Sequence, residues 1–511
     1  MEQVAGPRER EGGSDASHLL VASRRLLILD ELRVPYACAP PAGAGVTWQS
    51  LAGAQTSRAL HWYSGADGIA SARCTIRGIP VSGGIAGDAA VGGLVHRLGG
   101  DWSPWPALEV LDTRGMRCSS AWRNGDGGTI LPFDPDRLVL DCRAERYRAR
   151  HGGASAWKTF ARWSYYRIRG LLPRPLQIAL RRVFSRVQAR ATFPRWPVEP
   201  ALHDLSELIL SCAAHAAAED LPYLAPWPNG HTWALVLTHD VETARGRDAI
   251  ERVRAVEASV GLRSAWNLVP ERYAVPDDVV ARLRAEGCET GVHGLRHDGR
   301  DLESLATLAE RLPKMRRWAS RWEAVGFRAP ATQRVWEWMP VLGFDYDSSY
   351  PDTDPFEPIA GGCCTWLPFF NGDLVELPIT LPQDHTLFVI LRRDDRLWHE
   401  KADALRRRGG MALLITHPDY MLGDEHLAHY ERFLRAYGDD ATAWCALPRE
   451  VSAWWRRRAE TSIVAGADGW AARGPGADEA RIRLVRPGLS TTPSHPASDL
   501  AGGACDAAAG T

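Results

Sequence analysis

Long apolar runs are missing from this 511-residue chain, and with them any stretch suited to span a bilayer as a helix. The first residues, Met1 to Ser17, are polar and charged and lack the apolar core of a signal peptide, so a soluble cytoplasmic protein is expected. An excess of one charge is missing too. With 61 basic and 62 acidic side chains the net charge is −1, which leaves no electrostatic footprint for nucleic acid. Cysteine is sparse: ten in the chain, no C-x-x-C pair, and Cys363 directly beside Cys364. That argues against a disulfide scaffold and a cysteine zinc site, and for reduced, mostly buried thiols. What is present is globular composition, 45% hydrophobic and 24% charged, in a chain too long for one ordinary domain.

Residues 1–16, rich in Gly, Glu and Arg, read as disordered. Residues 17–142 read as a small α/β or α+β domain with no catalytic constellation. Apolar residues at helical spacing predict a helix over 20–34, with Pro35 as its stop. A basic, aromatic-rich helical connector follows over 143–230, with a helical pattern resuming near Leu202. Within it, residues 157–191 suit peripheral contact with an anionic membrane or a lipid-linked glycan. The plainer reading is a connecting segment with its arginines in water.

From 231 to 458 short apolar strands alternate with helical patterns. Strands are expected at 234–237, 264–269, 288–292, 341–344, 374–379 and 411–416, and a helix over 302–322 interrupted at Pro313. Such alternation means parallel strands with crossover helices, so a (β/α) barrel or a doubly wound sheet. Residues 459–511 hold few large apolar side chains and read as a disordered tail.

Several of these strands end in ionisable groups. Asp240 and Glu242 follow the first, then His293, Arg328 and His417 follow others. In a parallel barrel all such positions lie on the carboxyl face, where active sites are built. His293 and His297, four apart, would lie on one face of a helical turn and suit one divalent ion. Glu242 or Asp240 would complete a His-His-carboxylate site, and Asp298 is placed to orient a ligand imidazole. The remaining carboxylate is left to deprotonate a water, with Arg328 holding it ionised and His417 protonating a leaving group.

In series, Thr238-His239-Asp240-Val241-Glu242, His293-x-x-x-His297, Gly326-Phe327-Arg328-Ala329-Pro330 and Leu414-Ile415-Thr416-His417 resemble the ordered motifs of the NodB-type polysaccharide deacetylases. The resemblance implies a distorted (β/α)7-type barrel over 231–458. It implies one divalent ion, most often zinc, with cobalt or another as substitute, and removal of N- or O-acetyl groups from a carbohydrate. It also implies Asp240 as base, His293 and His297 as ligands, Arg328 as partner of the base and His417 as acid. The chain departs from the pattern in places. Val241 stands where the family has a second Asp, so Glu242 must supply the carboxylate ligand. Gly294 replaces a Ser or Thr, and Ala331 an aromatic residue, for which Trp336 or Trp338 could substitute in lining the groove; Trp366 is a further stacking surface. Asp347 and Tyr350, in Asp345-Tyr346-Asp347-Ser348-Ser349-Tyr350-Pro351, resemble a Tyr-Asp-Ser-Ser segment of related enzymes. Asp384, beside His385, is the other candidate partner of His417, and His239 a candidate near the base. Two further readings keep the fold: a hydrolase of small linear or cyclic amides, and a catalytically degenerate glycan-binding barrel.

Overall fold

The computed structural model describes residues 19–21, 26–38, 48–49, 59–63, 74–81, 84–150, 182, 188, 192–466 and 469–488. The region that positions the ionisable cluster is built around β1, Trp233–Val241, in which all nine residues are buried. A strand without a solvent face belongs inside a parallel sheet covered by helices, which is why its sequence reads as one apolar run. The other strands are β2 (Ala265–Leu268), β3 (Glu289–Val292), β4 (Gly326–Phe327), β5 (Tyr346–Asp347), β6 (Phe369–Asn371), β7 (Leu374–Glu376), β8 (Met411–Thr416) and β9 (Ala443–Cys445). Their order is β6-β7-β5-β4-β3-β2-β1-β8, with β9 beside the first half of β1.

The seven strands from β7 through β1 to β8 are mutually parallel, and only β6 runs antiparallel. The sheet is curled. Past β7, the Leu381 amide donates to the Leu413 carbonyl of β8 at 3.0 Å, so the two ends of the series approach each other.

Alternation along the strands divides the core into two faces. Ala234 and Val236 of β1 share an inner cluster with Tyr346, Val375, Leu413 and Ile415. Trp233, Leu235, Leu237 and Val241 face the helices, packing in one cluster with Ile250, Val253, Tyr430 and Phe433. The same parity, carried past the last core residue, turns Thr238 and Asp240 inward and His239 outward. On β8 it turns His417 inward and Thr416 outward.

Several sequence expectations are corrected. The stretch 20–34 is not one helix: Leu19–Val21 is a strand and the helix is Leu27–Leu32, with residues 22–25 outside the described residues. The expected strand at 341–344 is a 3-10 turn, Met339–Leu342, begun by a proline that cannot donate to a ladder. The helix Leu305–Trp322 runs through Pro313 without a break. The helix Ala201–Ala217, expected within the connector, packs its apolar face into the core formed with residues 26–139. The expected tail contains an antiparallel ladder of Ser462–Gly466 with Gly469–Arg473. It also contains Ile482–Val485, which pairs with Leu221–Leu224. Residues 1–16 and 489–511 lie outside the described residues, as does the segment 157–191 apart from Arg182 and Gln188.

The N-terminal region forms a second, mixed sheet with both parallel and antiparallel pairings. It grips the first region through a buried ion pair. The Arg334 guanidinium donates to both oxygens of Glu145 at 2.8 and 2.7 Å, and Tyr147 donates to the Gly362 carbonyl at 2.7 Å. Among the described residues no helix is long and apolar enough to cross a membrane.

Candidate active site

The carboxyl ends of the parallel strands bring together Asp240, Glu242, His293, His297, Arg328 and His417. Asp240 is the most tightly held. Its Oδ1 accepts from Asn267 Nδ2 at 2.9 Å and from Arg328 Nη1 at 3.0 Å, and its Oδ2 lies 3.7 Å from His293 Nε2. Arg328 is buried and fully occupied. It donates also to Thr238 Oγ1 at 2.9 Å, to the Ser348 carbonyl at 2.7 Å and to Ser348 Oγ at 2.8 Å. Burial alone would raise the Asp240 pKa, but proximity to His293, Arg328 and His417, with the Asn267 amide, holds it below the ordinary carboxylate range. Burial pushes the His293 pKa down to about 4, so that ring is neutral near pH 7 and Arg328 is the permanent cation beside Asp240.

The histidine pair meets without a helix. Residues 293–300 form a bend, in which Gly294 (φ +62°) and His297 (φ +53°) turn the chain back on itself. The two imidazoles end 5.0 Å apart between ring centres. Gly294 is required here: a Cβ would overlap the Asp301 carboxylate and Pro330, at a φ that side chains disfavour. The family's Ser or Thr would not fit this backbone.

Glu242, His293 and His297 present ligand atoms that all lie within 4.8 Å of one another. The donor set suits a divalent ion on two further observations. His293 Nδ1 donates to the Arg328 carbonyl at 3.0 Å, a bond that fixes the tautomer with a bare Nε2. His297 Nε2 is buried and lies 3.0 Å from Glu242 Oε1, out of line for a good hydrogen bond to it, and has no other hydrogen-bond partner among the described residues. Two atoms converging in this way without bonding to each other suit two ligands of one cation. Burial would raise the Glu242 pKa, but His297, His417 and His293 outweigh it and hold the carboxyl ionised.

His417 enters from β8. Its Nε2 is 3.8 Å from Glu242 Oε1, and its Nδ1 bonds to Asp384 Oδ1 at 2.6 Å. Asp384 Oδ2 also accepts from the His417 backbone amide at 2.7 Å. Burial works against the imidazolium, but Asp384 first, then Glu242 and Asp240, raise the His417 pKa to about 10. The result is an ionised carboxylate and a protonated imidazole at one three-ligand cluster, each with its own buried partner.

Other candidates go elsewhere. His239 faces the helices, bonding Thr416 Oγ1 at 2.7 Å and Glu257 Oε1 at 2.6 Å and stacking on Trp266. Asp298 pairs with Arg311 at 2.7 Å through both oxygens, so it does not orient His297. Asp347 has outward parity and bonds Ser349 Oγ at 2.7 Å. Its pKa, like that of neighbouring Glu376, is raised by burial. Tyr350 is buried under the Arg334 guanidinium, 5.4 Å from its ring centre. Trp366 is fully buried, stacked on His203 at 3.6 Å, and offers no surface to a sugar. Trp336 is partly exposed and stacks on Phe369, while His385 lies 5.0 Å from the Tyr420 ring beside His417. The sequence reading missed Asn267, Thr238 and Ser348. All three have inward parity, Thr238 and Asn267 on expected strands and Ser348 just past a strand that was not expected, and for the first two that parity was the available signal.

No protein-family model matches the chain, and no curated protein matches it. Solved structures do align with it. The alignment covers 45% of this chain and 93% of a Mycobacterium smegmatis protein assigned as a polysaccharide deacetylase, at 20% identity and a TM-score of 0.39. It covers 45% of this chain and 92% of PuuE allantoinase, at 17% and 0.36. A Pseudomonas aeruginosa PAO1 protein, also assigned as a polysaccharide deacetylase, gives 45% and 92% coverage, 17% identity and 0.36. Two of these three structures carry the name polysaccharide deacetylase, and the third that of an allantoinase.

Proposed function

We propose that this chain is a metal-dependent hydrolase that removes N-acetyl groups, or O-acetyl groups, from a carbohydrate. One observation carries the reading. Asp240, kept ionised by Arg328, and His417, kept protonated by Asp384, adjoin the same His-His-Glu cluster. Glu242, His293 and His297 would hold the ion, most readily zinc. When bound it would polarise the acyl carbonyl and acidify a water.

The chain's own residues then divide the proton work. Asp240 accepts the proton of the attacking water; the fixed charge of Arg328 keeps its proton affinity low, so that proton passes on to solvent and the carboxylate is restored. His417 Nε2 delivers its proton to the departing amine or alkoxide. The Asp384 bond at Nδ1 keeps that nitrogen aimed at the site and stabilises the charge it carries. The seven parallel strands with the Leu381–Leu413 hydrogen bond support the distorted (β/α)7 reading of the sheet.

The test is acetate release by the zinc-loaded full chain from N-acetylated and O-acetylated sugars, with hydrolysis of small linear or cyclic amides followed separately by loss of the amide. Acetate from an acetylated sugar is expected. One bound equivalent of zinc with no acetate from any sugar would refute the carbohydrate reading, and turnover of a small amide would then replace it.

A further inference from the structure

The Asp-Val-Glu arrangement raises a mechanical problem that the strand geometry makes explicit. Side chains two apart on a strand share a face, so Asp240 and Glu242 can both point inward while Val241 fills the helix-side core. But Glu242 lies beyond the end of β1. The ladder with β2 stops at Val241, opposite Leu268, and the ladder with β8 stops at His239, opposite Thr416. No neighbouring strand therefore fixes the backbone of Glu242.

A single side chain takes that place. Asp419 Oδ2 accepts from the Glu242 amide at 3.1 Å, and Asp419 Oδ1 accepts from the hydroxyl of Thr243. Gly246 opens the space: a Cβ at that position would overlap the Asp419 carboxylate. Asp419 sits two residues past His417, in a turn where the amides of Tyr420 and Met421 return to the His417 carbonyl at 2.8 and 3.2 Å. The loop that presents the acid is thus hydrogen-bonded to the loop that presents the carboxylate ligand.

We infer that Asp419 is a positioning residue for the cation cluster, clamping the Glu242 backbone where the sheet no longer can. The inference rests on the proposed role of Glu242 as a ligand. It gives the displaced carboxylate a fixed backbone, so that only its side-chain torsions remain to be ordered when an ion binds.

The experiment measures zinc affinity of the full chain by competition with a chromophoric chelator, after stripping with a stronger one. Asp419→Ala should weaken zinc binding by about 10–100-fold, the usual cost of removing a group that orients a ligand. Asp419→Asn, which keeps one accepting oxygen, should lose less and guards against a variant that fails to fold. The decisive comparison uses Glu242→Ala, whose residual two-histidine affinity is read with a weaker indicator. In that background Asp419→Ala should change affinity little, because a clamp acting through Glu242 has nothing left to hold. Equal weakening in both backgrounds, or no weakening in either, overturns the clamp while leaving the cluster intact. Wild-type chain that takes up no zinc overturns the clamp and the metal reading together.

Discussion

Removing the charge of Asp384 should separate the acid from the rest of the site. Asp384 is buried and spends both oxygens on donors: Oδ1 on His417 Nδ1 and the His385 amide, Oδ2 on the His417 amide. The His417 pKa of about 10 against an ordinary 6.5 corresponds to roughly 5 kcal/mol of preference for the imidazolium. Asp384 is the largest favourable contributor to it. A cation at Glu242 would cancel part of the pull from that carboxylate, which leaves Asp384 the main support of the proton in the loaded protein. Asp384→Asn should therefore move the alkaline limb of kcat/KM toward lower pH by about 1–3 pH units. At pH 8 that shift leaves between about a tenth and nine-tenths of the imidazolium, so the rate there should fall by up to about 10-fold, and further at higher pH. The amide also has one acceptor where the carboxylate had two, so one buried donor loses its partner at a cost of about 1–3 kcal/mol. Stability should respond with a defined sign. A histidine whose pKa is raised on folding stabilises the fold fully below its unfolded value, near 6.5, and loses that contribution as pH rises through about 10. Urea unfolding of the metal-free protein should show this decline between those limits, flattened in Asp384→Asn. An alkaline limb that stays in place in the variant would refute His417 as the acid.

The other perturbations act on different parts of the cluster. Metal analysis of purified protein should give one equivalent of zinc, lost in His293→Ala and Glu242→Ala. Asp240→Asn should keep the ion while acetate release falls by about 10²–10⁴-fold; loss of the ion instead would exchange the roles of Asp240 and Glu242. Arg328→Met leaves the Asp240 carboxylate buried without its cation, so chemical denaturation should show a loss of about 3–5 kcal/mol near pH 7. Gly294→Ser puts a side chain at φ +62° against Asp301 and Pro330. It should destabilise the fold by about 1–3 kcal/mol and weaken zinc binding; a neutral result by thermal melting would show that the bend can rearrange.

Much of the site was legible because its residues terminate apolar strands, and a parallel sheet gathers all such ends on one edge. Asp240, His293, Arg328 and His417 were found that way. What failed was direction. His239 and Asp347 are ionisable residues at the same strand ends, yet strand alternation sends both away from the cluster. Applying parity from Ala234 and Val236 would have excluded His239 in advance and admitted Thr238. The two histidines come together, but not in the way the spacing suggested: a helical turn was expected, whereas two left-handed residues make the bend. Asp419 was out of reach, because nothing in the sequence tells that a carboxylate two residues past His417 turns back to an amide in another loop. The strands after 461 escaped notice because they are short and mostly solvent-facing, with Ile463 their one buried residue.

The Glu145–Arg334 pair bears on whether the strand-end cluster can work without the N-terminal region. Arg334 lies six residues past Arg328, in the loop that continues from the base's partner, and it also donates to the carbonyls of Thr332 and Ile359. Its side chain is 1% exposed and that of Glu145 is 6% exposed. A pair so desolvated adds little net stability when intact, but leaving one charge behind is costly. Cutting the chain ahead of residue 231 would therefore strip Arg334 of the one carboxylate that pairs with it among the described residues, not merely remove a neighbour. The ion pair makes the N-terminal region part of what holds the loop after Arg328 in place, and Tyr147 bonded to Gly362 adds a second tie between the two regions.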